Sequence, residues 1–181
     1  MSNTARYSTP AVVLHWLVAL AIFAAFPLGV YMHELPLSPY KLRLYSYHKW
    51  IGVTIFLLVA LRLAWRAGHR PPALPPMPAW QRRASAAVHG LLYLLMITIP
   101  LSGWLMSSAK GFPTVWFGIL PLPDLVDKNR ELGELLTTVH KGLNITLLAL
   151  VVVHVAAALQ HHFIERHPFL QRMGWGRKEL S

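Results

Sequence analysis

Four histidines, His15, His48, His140 and His154, lie within long apolar stretches of the chain rather than in polar loops. An ionisable side chain inside an apolar span is costly and usually serves a function. Imidazole can ligate a metal ion, relay a proton or donate a hydrogen bond to a neighbouring helix. The absence of cysteine excludes disulfides, zinc–thiolate sites, iron–sulfur clusters and covalently attached c-type haem. Histidine side chains are therefore the main available ligands for any cofactor.

The spacing between His140 and His154 is the most informative feature of this set. Because an α-helix has about 3.6 residues per turn and rises about 1.5 Å per residue, residues 14 positions apart share one face. Their axial separation is about 21 Å, which is too long for one site and suits two sites stacked through a membrane. Each site then needs a partner at a matching depth on another helix.

His15 and His48 supply these partners, and the predicted pairs are His15 with His154 and His48 with His140. The first pair lies in the cytoplasmic leaflet and the second in the outer leaflet. Two imidazoles on facing helices can hold a flat cofactor between them. With no cysteine and an apolar surrounding, b-type haem is the favoured cofactor. Ligation by two histidines fills both axial positions of the iron and favours electron transfer over oxygen binding.

Four apolar segments must position these histidines. The chain is 55% hydrophobic and only 13% charged, whereas a soluble domain carries about 25% charged residues. Four stretches reach the about 20 residues that a helix needs to cross the hydrocarbon core. They cover about residues 11–32, 45–65, 84–107 and 138–161. We therefore predict an all-α integral membrane protein, a single domain built as a four-helix transmembrane bundle, with the first span retained rather than cleaved.

The basic residues predict the orientation of this bundle. The formal net charge is +10, and the cationic residues lie between apolar spans, so membrane orientation explains them better than nucleic acid does. Ten lie on the side of both termini: Arg6, Arg62, Arg66, Arg70, Arg82, Arg83, Arg166, Arg172, Arg177 and Lys178. Seven lie on the other side: Lys41, Arg43, Lys49, Lys110, Lys128, Arg130 and Lys141. Because lysine and arginine favour the cytoplasmic side, both termini are predicted to be cytoplasmic.

The longest connection covers residues 108–137, on the non-cytoplasmic side. Its "VWFGILPLP" stretch, residues 115–123, predicts a turn at the membrane interface. The following "DLVDKNRELGELL", residues 124–136, has apolar residues at helical spacing. It predicts a short amphipathic helix on the surface.

Five further side chains have both a functional and a structural interpretation. His161 is predicted to lie on the same face of the fourth span as His140 and His154. There it either donates a hydrogen bond to a quinone or a haem propionate, or lies in interfacial water. His89, at the start of the third span, either contacts a quinone or the haem surroundings or is structural. Lys49 and Lys141 directly follow the two outer histidines. In the functional interpretation, these two lysines and Arg62 pair with haem propionates or attract a small anion. In the structural interpretation, they extend from helix ends into water.

These positions occur in segments that resemble those of a known family. The segments are "LHWL" at 14–17, "HKWIG" at 48–52, "SGWLMSSA" at 102–109, "WFGILPLPDL" at 116–125 and "VHKGL…VVVHVAAALQHHF" at 139–163. On these residues the chain resembles the bacterial cytochrome b561 family, from about residue 6 to 170. That family is related to the cytochrome b subunits of nickel hydrogenases and formate dehydrogenases.

The resemblance implies an inner-membrane bundle with two non-covalent b haems. It implies that His15, His48, His140 and His154 are the axial ligands of the two irons. His161 matches a family position linked to quinone binding. Some members are similar to superoxide oxidases, which pass an electron from periplasmic superoxide through both haems to ubiquinone.

Three functions follow as hypotheses. The leading one is an oxidoreductase that links a periplasmic donor, a small anion such as superoxide or a redox protein, to ubiquinone in the lipid bilayer. The second is a non-enzymatic electron-relay subunit that docks a periplasmic redox partner through residues 108–137. The third is a histidine proton relay or metal transporter without haem. The absence of aspartate and glutamate from the four spans disfavours this third hypothesis.

Overall fold

Four long helices dominate the computed structural model, which describes residues 6–73, 77–166 and 169–174. The elements are α1 (Thr9–Glu34), α2 (Pro39–Gly68), α3 (Ala79–Ala109), β1 (Thr114–Trp116), β2 (Leu120–Leu122), α4 (Arg130–Leu159), a π-helical turn (Gln160–Ile164) and α5 (Phe169–Arg172). Each long helix is apolar and long enough to cross a membrane. The predicted architecture is therefore confirmed. Arg177 and Lys178, used in the charge count, lie outside the described residues.

All four helices begin before the predicted spans, and all but α4, which ends at Leu159, also end after them. Hydropathy detects only the part of a helix that matches the hydrocarbon core. The start of α2 shows how the extra turns form. Ser38 precedes the helix, its Oγ accepts a hydrogen bond of 3.2 Å from the Lys41 amide, and Pro39 occupies the first turn. Serine at this position and proline in the first turn both favour initiation.

The separate surface helix predicted over residues 124–136 is not formed. Instead, α4 begins at Arg130 and continues into the membrane span. Asn129 caps this start, since its Oδ1 accepts a hydrogen bond of 3.0 Å from the Leu132 amide. Nothing interrupts the chain between this cap and His140 except Gly133, which a helix tolerates. The amphipathic pattern therefore belongs to the first turns of the fourth membrane helix.

The turn predicted over residues 115–123 is confirmed as an antiparallel hairpin of β1 and β2. The pairing places Trp116 opposite Leu120. Phe117 and Gly118 make the turn with φ angles of 51° and 73°, a left-handed conformation that glycine adopts readily and phenylalanine rarely does. The hairpin packs against α2, which holds it beside the outer end of the bundle.

The bundle is assembled from two helix pairs. α1 packs along α2, α3 packs along α4, and α2 and α3 join the pairs. Buried clusters hold each pair: Val18, Ile55 and Val59 in the first, and Leu92, Leu95, Ile99 and Leu147 in the second. Many large apolar side chains on the outside are exposed, as lipid-facing surfaces require.

The two sides of the bundle are named here by the ends of the helices. The inner side is where α1 begins and α2 ends, and the outer side carries the hairpin. Trp16 Nε1 donates a hydrogen bond of 3.0 Å to the Met173 carbonyl. This contact brings the start of α1 and the segment after α4 to the same side, as four spans require.

Candidate functional site

The outer pair consists of His48 on α2 and His140 on α4. Their ring centroids are 6.3 Å apart and the ring planes are inclined by 82°. Both residues are half-buried. They line a mainly apolar cavity between the helices, together with Gly52 and Asn144. The structure therefore brings together two side chains 92 positions apart in the sequence, as predicted.

Two glycines lie directly behind these rings. A Cβ atom on Gly29 of α1 would lie 3.1 Å from Cε1 of His48. A Cβ atom on Gly103 of α3 would lie 3.1 Å from Cε1 of His140. Each imidazole therefore packs against the backbone of a glycine, and a larger residue at that position would displace the ring. Sequence reasoning missed both glycines, although Gly103 lies in the "SGW" segment that carries the family resemblance.

Ser102 on α3 determines which nitrogen of His140 carries the proton. Its Oγ donates to the Ile99 carbonyl at 2.8 Å and lies 2.9 Å from His140 Nδ1. A hydroxyl has one hydrogen, so Oγ must accept the second bond from the Nδ1–H group. Nε2 is then unprotonated, which is the form in which imidazole ligates a metal. Sequence reasoning did not assign this serine.

His48 has no comparable partner. Its Nδ1 is buried and makes no hydrogen bond within the described part of the chain. The Ala25 carbonyl interacts with the ring without meeting the geometry of a hydrogen bond to this atom. A buried polar atom without a partner is destabilising.

The inner cluster consists of His15 on α1, His89 on α3 and His154 on α4. The ring centroids of His15 and His154 are 6.3 Å apart, inclined by 61°. His89 lies closer, with its centroid 5.2 Å from that of His154. The sequence analysis left the role of His89 open. The structure places it in direct contact with a predicted ligand.

The residues of both layers fit a b-type haem. An imidazole nitrogen lies about 2 Å from a ligated metal and about 1 Å from its own centroid, so two imidazoles on opposite sides of one metal have centroids about 6 Å apart. The ring separations of both pairs match this value. Among the described helices, α4 does not pack closely against α1 or α2. The rings of each pair therefore meet across a gap between helices, and the outer pair lies in mainly apolar surroundings.

Comparison with known proteins decides the family. The chain matches the family model described as prokaryotic cytochrome b561 over residues 6–176. It belongs to this family. The cytochrome is 33% identical over 170 residues to "Cytochrome b561 homolog 2" of Escherichia coli strain K12, which covers 93% of this chain and 90% of that protein.

Two further relatives extend the comparison. "Cytochrome b561 homolog 1" of Escherichia coli strain K12 is 29% identical over 179 residues, covering 96% of this chain and 99% of that protein. "Probable superoxide oxidase CybB" of Yersinia pestis is 26% identical over 169 residues, covering 93% and 95%. The chain is thus a multi-pass cytochrome of the bacterial inner membrane, in an electron-transport family whose members bind b-type haem. The predictions of fold, family and location are confirmed.

The two outer lysines of the cytochrome have protein partners. Lys49 Nζ donates to the carbonyls of Phe112 and Pro113, at 3.0 and 3.2 Å. Lys141 Nζ donates to Nε2 of His33 at 2.9 Å. Lys49 therefore tethers α2 to the loop before β1, and Lys141 joins α4 to the end of α1. The contacts to propionates or small anions stay predictions, and the structure adds a tethering role.

Arg62 connects three helices on the inner side. Its Nε donates to the Tyr93 hydroxyl at 2.9 Å, and its Nη1 donates to the Ala11 carbonyl at 3.0 Å. The side chain is half-buried and therefore does not simply extend to water. Its predicted contact with a propionate or another anion remains a prediction.

His161 lies in the π-helical turn rather than in a continuous α-helix. Its Nδ1 is 2.7 Å from Oε2 of Glu165. The predicted position on the ligand face assumed 3.6 residues per turn, and a π-turn is wider. The face that His161 presents therefore cannot be extrapolated from His154 by helical spacing. Its predicted role in quinone binding remains a prediction.

Proposed function

We propose that this cytochrome holds two b-type haems and transfers electrons across the membrane between a periplasmic donor and ubiquinone. The observation that carries the proposal is the repeated pair of histidines. The outer pair His48/His140 and the inner pair His15/His154 have the same ring separation of 6.3 Å. These four residues are the proposed axial ligands of the two irons.

The contribution of the chain to this function is to hold the two haems at fixed positions. α4 contributes one imidazole to each level, and α1 and α2 contribute the second. The about 21 Å rise between the two levels covers most of a hydrocarbon core about 30 Å thick. A bis-histidine haem supplies one-electron transfer without an open coordination position. Ser102 holds one ligand in its metal-binding tautomer, and the surrounding apolar side chains exclude water.

Superoxide is the proposed donor. A relative at 26% identity carries the name "Probable superoxide oxidase CybB", which supports this choice. Lys49 and Lys141 also place positive charge beside the outer pair, which raises the local concentration of a small anion. On the inner side, His89 and His161 are the proposed contacts for the quinone.

Absorption spectroscopy and haem quantification test the ligands first. Two haems per chain are expected in the purified cytochrome, and one each in the His140→Ala and His154→Ala variants. His69→Ala, which removes an exposed histidine that is not a proposed ligand, serves as the control and should retain two. Retention of both haems in either ligand variant would refute the assignment. A colourless protein would favour the haem-free proton relay or transporter.

Stopped-flow mixing of the oxidised cytochrome with superoxide, with ubiquinone as acceptor, tests the reaction. We expect rapid reduction followed by quinol formation. Haems that stay oxidised would eliminate superoxide as the donor. Co-purification of a stoichiometric periplasmic protein would instead support the relay-subunit function. The exposed Phe117 and Ile119 of the hairpin are the surface where such a partner would dock.

A further inference from the structure

A second cavity, of about 360 Å³, lies at the inner end of the bundle. Its walls come from the start of α1, from the end of α2 with the loop that follows, and from Tyr93 on α3. Four arginines line it: Arg6, Arg62, Arg66 and Arg70. None of the lining residues is acidic. The cavity is therefore strongly cationic and opens where the membrane helices end.

Contacts between three helices hold the walls in place. Trp65 Nε1 donates to Ser8 Oγ at 3.0 Å, which joins α2 to the residue before α1. Arg62 bonds the Ala11 carbonyl of α1 and the Tyr93 hydroxyl of α3. The cavity is therefore a built feature of the fold rather than a gap between unconnected loops.

No acidic side chain of the described chain neutralises these arginines. The two ion pairs within the described residues lie elsewhere. They join Arg130 to Glu134 on the outer side, and His161 to Glu165. Arg66 and Arg70 are exposed residues that line the cavity. Four guanidinium groups around one cavity repel one another and create a strongly positive potential. A bound anion would relieve that repulsion.

We propose that this cavity binds the phosphate headgroup of an anionic membrane lipid, of the phosphatidylglycerol type. The guanidinium fork matches the geometry of phosphate oxygens. The cavity lies at the ends of the spans, where headgroups are found, and Tyr7, Trp65 and Tyr93 among its walls are typical of that interface. Basic pockets between transmembrane helices on the cytoplasmic side bind anionic headgroups. The inference does not depend on the electron donor. Arg62 is also the predicted contact of a haem propionate, so the test below addresses the cavity through Arg66 and Arg70.

Lipid binding to the purified holoprotein, measured by native mass spectrometry, tests the site. Phosphatidylglycerol, phosphatidylcholine and inorganic phosphate are titrated in separate arms, so that a lipid and a free phosphate are distinguished. One phosphatidylglycerol per chain is expected to bind in preference to the other two. Arg66→Ala/Arg70→Ala should weaken this binding about tenfold or more, because each substitution removes a guanidinium group of the cavity wall that forms charge-assisted hydrogen bonds to the phosphate.

Arg82→Ala/Arg83→Ala is the matched control. It removes the same charge from the same side at two exposed positions of α3 that do not line the cavity. This control should bind phosphatidylglycerol within twofold of the unaltered chain. An equal loss in both double variants would show a diffuse surface-charge effect and overturn the proposal. Binding of inorganic phosphate but not of lipid would also overturn it. So would unchanged lipid binding with an altered haem spectrum in Arg66→Ala/Arg70→Ala, because the arginines would then serve the haem propionates.

Discussion

Ser102 on α3 accepts a hydrogen bond of 2.9 Å from Nδ1 of His140 on α4, while donating its own hydrogen to the Ile99 carbonyl. One side chain therefore determines both the tautomer and the orientation of a proposed haem ligand. Partners of this kind raise the basicity of a metal-ligating histidine, and losing one commonly costs about tenfold or more in metal affinity or activity.

Ser102→Ala should retain the fold, weaken haem binding at the outer site about tenfold, and raise the reduction potential of that haem. The potential rises because an imidazole without this hydrogen bond donates less electron density and stabilises the oxidised iron less. Redox titration followed by absorption measures the potential, and haem extraction measures the affinity. Thr98→Ala removes another α3 hydroxyl, which bonds only the helix backbone, and should change neither quantity. An unaltered potential in Ser102→Ala would show that the contact does not influence the site.

Gly29→Ala and Gly103→Ala should each reduce haem occupancy at the outer site while leaving the inner site filled. The new methyl group would lie 3.1 Å from a histidine ring, and overpacking of this kind costs about 1–3 kcal/mol. Haem content per chain, with the spectra of the two haems resolved by redox titration, provides the measurement. Gly68→Ala is the control, because a Cβ atom there meets nothing within 4 Å. Full occupancy in both site variants would show that the rings can shift without loss.

His89→Ala should retain both haems and change the spectrum of the inner one. The ring of His89 lies 5.2 Å from that of His154, so its removal changes the packing around a proposed ligand without removing the ligand. Electron paramagnetic resonance of the oxidised protein reports the orientation of the axial imidazoles. A shift in the signal of the inner haem with unchanged haem content is expected. Loss of the inner haem would instead identify His89 as an axial ligand.

Lys49→Met should lower the free energy of unfolding by about 1 kcal/mol through loss of two hydrogen bonds to the loop before β1. Hydrogen exchange should become faster in the loop and hairpin, residues 112–122, because Lys49 Nζ holds the carbonyls of Phe112 and Pro113. Arg43→Met removes an exposed cation from the same helix and is expected to leave exchange unchanged. Equal exchange rates in the two variants would contradict the tethering role. A slower reaction with superoxide at unchanged exchange would favour attraction of the anion.

The helical segments, their membrane character and the two levels of histidine follow from local properties of the sequence. Hydropathy detects a span from about 20 consecutive residues, and the period of the α-helix relates His140 to His154 without knowledge of any other helix. Family membership could also be inferred from the segments around these residues. The start of α4 at Arg130 could not be predicted in this way. Its first turns are polar and continuous with an apolar span, so they carry no hydropathy signal of their own.

The rotation of each helix about its axis was decided only by tertiary packing. That rotation brings Gly29 behind His48, Ser102 against His140, and His89 onto His154. Each of these relationships joins residues on different helices, so no local pattern contains them. The same applies to Lys49, whose carbonyl partners lie 63 and 64 positions away. The sequence thus determined which residues can serve a membrane redox site, and close packing between helices decided which of them touch.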